Sequence, residues 1–148
     1  IGDAKEESIN MILEFCQALA DAGKKVDSSL CLTTPLGIDT YREEIDTFLS
    51  SLSRMPDAFV CASDYVACIL MQLLEKRGLR VPEDVAVSGF DNNTEDLLAE
   101  HLTTVQVFNE ELGARLALQI LYRIKYPNMP HEITYLGTNV LYRDSTGD

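Results

Sequence analysis

The polar side chains best suited to hold a small ligand stand directly after two short apolar segments. Ser63 and Asp64 follow the apolar residues 58–62, and Asp91 follows Phe90 after a second apolar segment. A hydroxyl and carboxylates provide hydrogen-bonding chemistry, because together they can donate and accept. Each acid also has a structural alternative, since Asp91 could bond its own backbone in a turn. Ser63 or Asp64 could cap the helix that follows, and for Asp64 we favour this capping role over a ligand contact.

Motifs for covalent or metal-assisted catalysis are absent from the sequence. It contains no Gly-x-Ser-x-Gly elbow, no glycine-rich phosphate loop, and no cysteine, histidine and acid grouping at usable spacing. His101 and His131 lie far apart, without the spacing of a zinc site. We therefore predict that the chain is not an enzyme and has no catalytic, metal or cofactor site.

A strand, a helix and a second strand should position the polar side chains. Residues 58–62 have the length and composition of a buried strand, and apolar residues then recur at helical spacing over 66–74. Gly78, followed by an apolar residue, is typical of a Schellman ending. Residues 85–88 form the next apolar strand, so the two strands should be parallel and joined by a right-handed crossover. Ligands meet the carboxyl ends of strands in such sheets.

The rest of the chain also alternates between helices and extended segments. This alternation predicts an α/β fold, a doubly wound and mostly parallel sheet with helices on both faces, and the 148 residues should form one compact unit. Residues 1–2 are interpreted as the end of a strand that begins outside the chain. The further predicted helices are 8–22, 39–52, 94–99 and 109–124, and the further strands are 30–33, 103–107 and 133–142.

Charge and cysteine usage narrow the class of protein. A net charge of −12, from 24 acidic and 12 basic residues, repels phosphate backbones, so this piece should not itself grip nucleic acid. No apolar run is long enough to span a bilayer. The cysteines form no CxxC pair and lie in apolar patterns, which predicts reduced, packed thiols in a cytoplasmic protein. They are Cys16, Cys31, Cys61 and Cys68.

Several motifs occur in the order found in one family of proteins. They are Ala62-Ser-Asp-Tyr-Val-Ala, Arg77-Gly-Leu-Arg-Val-Pro-Glu-Asp-Val-Ala-Val-Ser-Gly-Phe-Asp-Asn, Leu102-Thr-Thr-Val and Glu111-Leu-Gly. The segment that carries them resembles the sensor domain of lactose-repressor and galactose-repressor family transcription regulators. The resemblance implies a type I periplasmic-binding-protein-like fold, in which two similar lobes hold a small effector between them. This chain would be the C-terminal lobe, and a first lobe and an amino-terminal helix-turn-helix would lie outside it.

The resemblance also assigns effector contacts. Asp91 matches the family's acidic residue that accepts hydrogen bonds from ligand hydroxyl or amine groups, and Ser63 lies where the family usually has asparagine. Elsewhere Met11 replaces an arginine, Val107 replaces a glutamine, and Pro35 stands where an aromatic stacks on a sugar or base. Donor groups have thus become apolar. We expect an effector that is sugar-like or more apolar, or one held mainly by the other lobe, or a cleft that no longer senses anything.

A dimer is implied as well, because family dimers pair through the helix after Ser63-Asp64 and the segment after Asp91. A helix that is apolar nearly all round suits this role, and the alternative is that the chain's own layers hide it. The helix at 109–124 should pack on the absent first lobe, so its apolar stripe is predicted to be sticky without that lobe. The dimer positions are Ala67, Cys68, Leu70, Met71, Glu95 and Leu98.

The leading interpretation is the effector-binding and dimerising part of a cytoplasmic, DNA-binding transcriptional regulator. Its effector would favour one arrangement of the two lobes and so control how the amino-terminal heads hold operator DNA. The alternative is one lobe of a periplasmic or extracellular solute-binding receptor for transport, against which the four cysteines weigh. A sensor for a fused signalling domain is a third interpretation.

Overall fold

Helices and strands alternate along the chain in the computed structural model. It describes residues 4–33, 40–92 and 97–147, without the side chains of residues 4–11 and 97. The helices are α1 (Ala4–Asp21), α2 (Tyr41–Ser51), α3 (Asp64–Lys76) and α4 (Asn109–Lys125). The strands are β1 (Ala58–Val60), β2 (Ala86–Ser88), β3 (Thr104–Gln106) and β4 (Asn139–Leu141), and short 3₁₀ turns lie at Ser28–Leu30, Leu97–His101 and Asp144–Thr146.

The described strands pair in two two-stranded sheets, one parallel and one antiparallel. β1 and β2 pair in parallel, as the crossover through α3 predicts, and β3 pairs antiparallel with β4. Two isolated parallel bridges join the β2 segment to the β3 segment, one between Ser88 and Thr103 and one between Asp91 and Gln106. The predicted α/β fold is confirmed, and the segments after β1 and β2 lie at one edge.

Local signals at both ends of α3 work as the sequence predicts. The Ser63 hydroxyl accepts a hydrogen bond of 3.3 Å from the Val66 amide, which satisfies one of the free N–H groups of the first turn. At the other end Gly78 has a φ of +74°, a conformation that glycine adopts without a steric penalty. The Leu79 amide donates to the Leu74 carbonyl at 3.0 Å, completing a Schellman motif.

Two predicted strands differ from the structure. Of the strand predicted at 30–33, Leu30 ends a 3₁₀ turn that Asp27 caps by accepting from the Ser29 amide at 2.9 Å, and residues 31–33 have no strand partner among the described residues. The predicted strand at 133–142 is reduced to β4, whose length is limited by the three residues of its partner β3. Of the helix predicted at 94–99, the described part is the 3₁₀ turn Leu97–His101.

The hydrophobic core is centred on α3, which packs against α2 and β2. Ala67 and Leu74 have no accessible surface, and Leu70 retains only 4%. Burial around most of the helix explains why α3 is apolar on nearly all sides. From α2, Ile45 and Leu49 complete this part of the core.

α4 differs sharply from α3, because none of its residues is buried. Its apolar side chains point to solvent, with Leu116 60% and Ile124 72% exposed. A helix with this pattern normally covers its apolar stripe with a neighbouring element. No helix among the described residues is both long and apolar enough for a membrane span.

Candidate functional site

The chain segments that follow β1 and β2 are tied to each other and to β3 by backbone hydrogen bonds. The Asp64 amide donates to the Phe90 carbonyl at 2.8 Å, which joins the first end to the second. The Asp91 amide donates to the Val105 carbonyl at 3.0 Å, which joins the segment after β2 to the middle of β3. The polar residues predicted at the strand ends are therefore brought to one place, where ligands bind in parallel α/β sheets.

Asp91 is the exposed carboxylate at this place. Its φ is +105° and that of Asn92 is +53°, so the turn uses backbone conformations that side-chain-bearing residues rarely adopt. Partial burial, together with the charge of Asp64, raises the pKa of Asp91 above its ordinary value. An accessible carboxylate with incomplete solvation gains from accepting hydrogen bonds from a ligand. The strained turn is a further feature that clusters at ligand sites.

Asp64 has a different role from the helix cap that we favoured, because Ser63 provides the cap. The Asp64 carboxylate is only 2% exposed and accepts a hydrogen bond of 2.6 Å from the Thr104 hydroxyl. Space for it depends on Gly89, where a Cβ atom would lie 2.2 Å from Oδ1 of Asp64. Asp64 thus links α3 to β3 beneath the exposed Asp91.

Arg143 anchors the other side of the Asp91 turn. Its Nη2 donates to the side-chain oxygen of Asn92 at 2.7 Å. Its Nη1 donates to the backbone carbonyls of Ala99 at 3.0 Å and Leu102 at 2.8 Å. One guanidinium therefore holds three acceptors from separate parts of the chain, which the planar fork of arginine allows.

A hydroxyl cluster fixes the segment that carries Arg143. The Thr103 hydroxyl accepts from the Arg143 amide at 2.8 Å, and the Thr103 amide donates to the Ser145 hydroxyl at 2.8 Å. Ser145 in turn donates to the Val87 carbonyl at 2.6 Å and is 2% exposed. Each buried polar side chain in the described part of the chain has a hydrogen-bond partner, so this cluster is a well-satisfied support for the strand ends.

Of the other predicted effector contacts, two are placed by the structure and the side chains of two lie outside the described residues. Ser63 lies at the end of β1, where its hydroxyl already accepts the capping bond and retains its own hydrogen to donate. Val107 is half-buried in the short connection between β3 and α4. Pro35 and the side chain of Met11 lie outside the described residues. The effector roles of these four positions stay predictions.

Gln106, Thr104 and Arg143 were missed by sequence reasoning. Gln106 precedes Val107 directly, and the parallel bridge places it beside Asp91, so an amide remains next to the site. The signal for it was the amide immediately after Thr-Thr-Val. Arg143 and Thr104 carried no local signal, because their partners lie far away in the sequence.

Three of the positions predicted at a dimer interface are covered by the chain itself. Ala67 has 0%, Cys68 2% and Leu70 4% of its surface accessible, which matches the alternative that the chain's own layers hide the helix. Met71 and Leu98 are partly buried and pack against the same core. Glu95 lies outside the described residues. The dimer itself stays a prediction.

The cysteines and acids give no metal site in the structure that is described. No group of three or more histidine, cysteine, aspartate or glutamate side chains is arranged for an ion within those residues. Cys61 and Cys68 are buried free thiols, whereas Cys16 and Cys31 are half-buried. Burial raises the pKa of Cys61 to about 12, so its thiol is neutral at physiological pH.

Known proteins share both the sequence pattern and the backbone fold of this chain. The profile of the periplasmic binding protein-like domain family matches residues 1–146. The chain belongs to this family. Within it, the similar curated proteins are regulators of the lactose-repressor type, which confirms the resemblance noted in the sequence.

Two relatives illustrate the extent of the match to the periplasmic binding protein-like family. The chain is 35% identical to the transcriptional regulator DegA of Bacillus subtilis, over 71% of this chain and 31% of that protein. It is 32% identical to the regulator GalR of Streptococcus thermophilus, over 81% of this chain and 37% of that protein. The chain thus spans about a third of the length of these relatives, which are transcriptional regulators.

Solved structures of the periplasmic binding protein-like family agree with the fold. A complex of the transcriptional regulator CelR with cellobiose superposes with a TM-score of 0.78 at 30% identity, over 88% of this chain and 40% of that one. A lactose-repressor-family regulator from Enterococcus faecium with bound ribose gives 0.77 at 26% identity, over 96% and 52%. The described lobe therefore has the backbone fold of domains solved with sugars.

Proposed function

We propose that this chain is the effector-binding and dimerising part of a bacterial DNA-binding transcriptional regulator. The observation that carries the proposal is Asp91, an exposed carboxylate where the segments after β1 and β2 meet β3 in a domain of this family. Its ligand is a small molecule with hydroxyl or amine donors, sugar-like or more apolar. Similarity to regulators solved with cellobiose and with ribose supports a hydroxyl-rich effector.

Asp91 suits such a ligand on energetic grounds. Its raised pKa reflects incomplete solvation of the charged carboxylate. Hydrogen-bond donors from a ligand would complete that solvation. Gln106 beside it offers an amide that both donates and accepts. Val107 in place of a polar residue makes the neighbouring surface more apolar. The combination favours a ligand with one polar edge and one apolar face.

The proposed mechanism is differential binding. An effector held between the two lobes stabilises one of their relative arrangements. By linkage, bound effector then changes the affinity for DNA by the same factor by which bound DNA changes the affinity for effector. DNA contact belongs to a helix-turn-helix outside this chain, in keeping with the chain's net charge of −12. No cofactor or turnover is part of the mechanism.

The same proposal gives a place to the exposed face of α4. We assign it to contact with a preceding lobe, which would cover Leu116 and Ile124. In the 148-residue chain the substitution Leu116→Lys should leave the melting temperature unchanged, because Leu116 is 60% exposed. In the complete natural polypeptide the same substitution should lower it by several degrees. Equal effects in both proteins would contradict this assignment.

The binding test uses the complete natural polypeptide with cellobiose and ribose as probes. Calorimetry measures sugar affinity, and fluorescence anisotropy measures binding to DNA from directly upstream of its own reading frame, with and without sugar. Asp91→Asn should weaken sugar binding about tenfold or more, because a charge-assisted hydrogen bond is lost. The matched control is Asp84→Asn, which changes an exposed carboxylate paired with Arg80.

The outcomes separate the classes of function. Sugar binding that changes DNA affinity, that is sensitive to Asp91→Asn and insensitive to Asp84→Asn, supports the regulator. Sugar binding with no affinity for DNA favours the solute receptor, as does a secretory leader in the natural reading frame. Recovery of chemically altered sugar would favour an enzyme. The half-buried free thiols Cys16 and Cys31 support a cytoplasmic location and weigh against the receptor.

A further inference from the structure

The turn that presents Asp91 needs support from outside itself. Asp91 and Asn92 both have positive φ, and each such residue costs free energy unless its surroundings hold it there. Two supports lie on the β3 side. The Asp91 amide donates to the Val105 carbonyl at 3.0 Å, and the Asn92 amide donates to the Thr104 hydroxyl at 3.2 Å. Both fix the backbone and leave the Asn92 side chain unconstrained.

Arg143 supplies the remaining support. Its Nη2 holds the Asn92 side-chain oxygen at 2.7 Å, while its Nη1 is held by the carbonyls of Ala99 and Leu102 at 3.0 and 2.8 Å. The guanidinium thus connects the turn to the chain on the far side of the residues 93–96. Arg143 is half-buried and is itself fixed by Thr103, whose hydroxyl accepts from its amide at 2.8 Å.

Only a forked cation can make this set of contacts. The acceptors lie in two directions from the side chain, and arginine offers its donors on two terminal nitrogens in a rigid plane. A lysine ammonium is a single point of donation, so it can hold the two carbonyls or Asn92 but not both groups. The arrangement therefore depends on shape as well as charge.

We propose that Arg143 is a positioning residue for the candidate effector site, which holds Asn92 and thereby keeps the Asp91 carboxylate in its binding orientation. The proposal rests on the proposed function for the role of Asp91 as an effector contact. Arg143 need not touch the effector to act. Its loss frees the turn, so that binding must then restore the order that Arg143 otherwise provides.

The test compares Arg143→Met and Arg143→Lys with a matched pair at Arg77, all in the complete natural polypeptide. Arg77 makes similar contacts far from the site, donating to the Asp46 carbonyl at 3.0 Å and the Ser50 hydroxyl at 3.1 Å. Hydrogen exchange by mass spectrometry follows the peptide that contains Asp91 and Asn92. Calorimetry with cellobiose and ribose gives the affinities, and thermal melts give the stabilities.

We expect faster exchange in the Asp91 peptide and about tenfold weaker sugar binding in Arg143→Met, with neither change in Arg77→Met. Arg143→Lys should recover thermal stability but not the exchange protection of the Asp91 peptide. If Arg143 acted only through stability, the two would recover together. Unchanged exchange at Asp91 and Asn92 in Arg143→Met overturns the proposal, as does unchanged affinity for a sugar that the wild type binds. Faster exchange in a protein that binds neither sugar upholds the positioning role and counts against a sugar as the effector.

Discussion

The Thr104 hydroxyl donates a hydrogen bond of 2.6 Å to Oδ1 of Asp64, and both side chains are almost completely buried. This contact joins the first residue of α3 to the first residue of β3, two elements that are distant in the sequence. It also lies under the turn of Asp91, because the Thr104 oxygen accepts the Asn92 amide. The support of the candidate site is thus buried polar chemistry.

Asp64 and Thr104 should be strongly coupled in a double-mutant cycle. Asp64→Ala and Thr104→Val should each lower the free energy of unfolding by about 1–3 kcal/mol, because each leaves a buried partner without its hydrogen bond. The double variant should cost less than the sum, with a coupling of about 0.5–3 kcal/mol. Urea unfolding monitored by circular dichroism measures all four proteins.

An exposed pair of the same chemistry provides the control for this cycle. The Thr40 hydroxyl donates to Glu44 at 2.7 Å on the surface of α2. Solvent replaces this bond when it is removed, so the coupling in Thr40→Val and Glu44→Ala should stay below about 0.5 kcal/mol. If the double variant lost as much free energy of unfolding as the sum of the single variants, the Asp64–Thr104 hydrogen bond would contribute no coupling energy.

Gly89→Ala should destabilise the protein by about 2 kcal/mol or more, because overpacking a filled core forces its neighbours to move. The added Cβ would meet Asp64 Oδ1 at 2.2 Å and Leu102 Cδ2 at 2.9 Å. Gly113→Ala is the control, since nothing lies within 4 Å of its Cβ position in α4. That change should be neutral or stabilising by up to about 1 kcal/mol. Equal thermal melts for the two variants would refute the close approach.

Asp91→Asn should stabilise the fold while it weakens ligand binding, and the effect on stability should depend on pH. The pKa of Asp91 is raised in the folded state above 3.8, so the folded protein holds this proton more tightly than the unfolded chain. The wild type therefore loses stability as the pH rises through the folded pKa. Thermal melts should match at pH 3 and favour the variant at pH 7. Asparagine also tolerates positive φ, which isolates the charge.

Asp84→Asn should show the opposite sign and serves as the counterpart. Hydrogen bonds from Arg80 hold the pKa of Asp84 down at about 2, so its contribution is present above the ordinary value and lost as the pH falls towards that pKa. The variant should melt below the wild type at pH 7, and the difference should vanish near pH 2. If both variants changed the melting temperature in the same direction at pH 7, the opposite pKa shifts of Asp91 and Asp84 would be contradicted.

The four thiols should react in two classes. Cys16 and Cys31 are partly accessible, whereas Cys61 and Cys68 retain 8% and 2% of their surface. Because the thiolate is the nucleophile, a pKa of about 12 also suppresses the reaction of Cys61 at pH 8. Iodoacetamide labelling with peptide mapping should modify the first class in the native protein and the second only after urea is added. Equal labelling rates for all four thiols in the native protein would contradict the burial of Cys61 and Cys68.

Local order was readable from the sequence, whereas long-range support was not. Ser63 and Gly78 act within a few residues of themselves, so the ends of α3 and the parallel β1–β2 unit were predictable. Asp64 was interpreted as a cap because its real partner lies in β3. Arg143 had no signal at all, since Asn92 is 51 positions away. The segment at 30–33 was predicted as a strand, but a strand also needs a neighbour to pair with.

The buried position of Ser145 has a consequence for synthesis of the protein. Ser145 donates to the Val87 carbonyl in the centre of the fold and receives the Thr103 amide. A ribosome makes both of those partners well before it makes Ser145. A nascent chain paused after β4 therefore exposes β2 and the Asp91 turn without their final contacts. The support that residues 143–146 give to the Asp91 turn should therefore form only after those residues leave the exit tunnel.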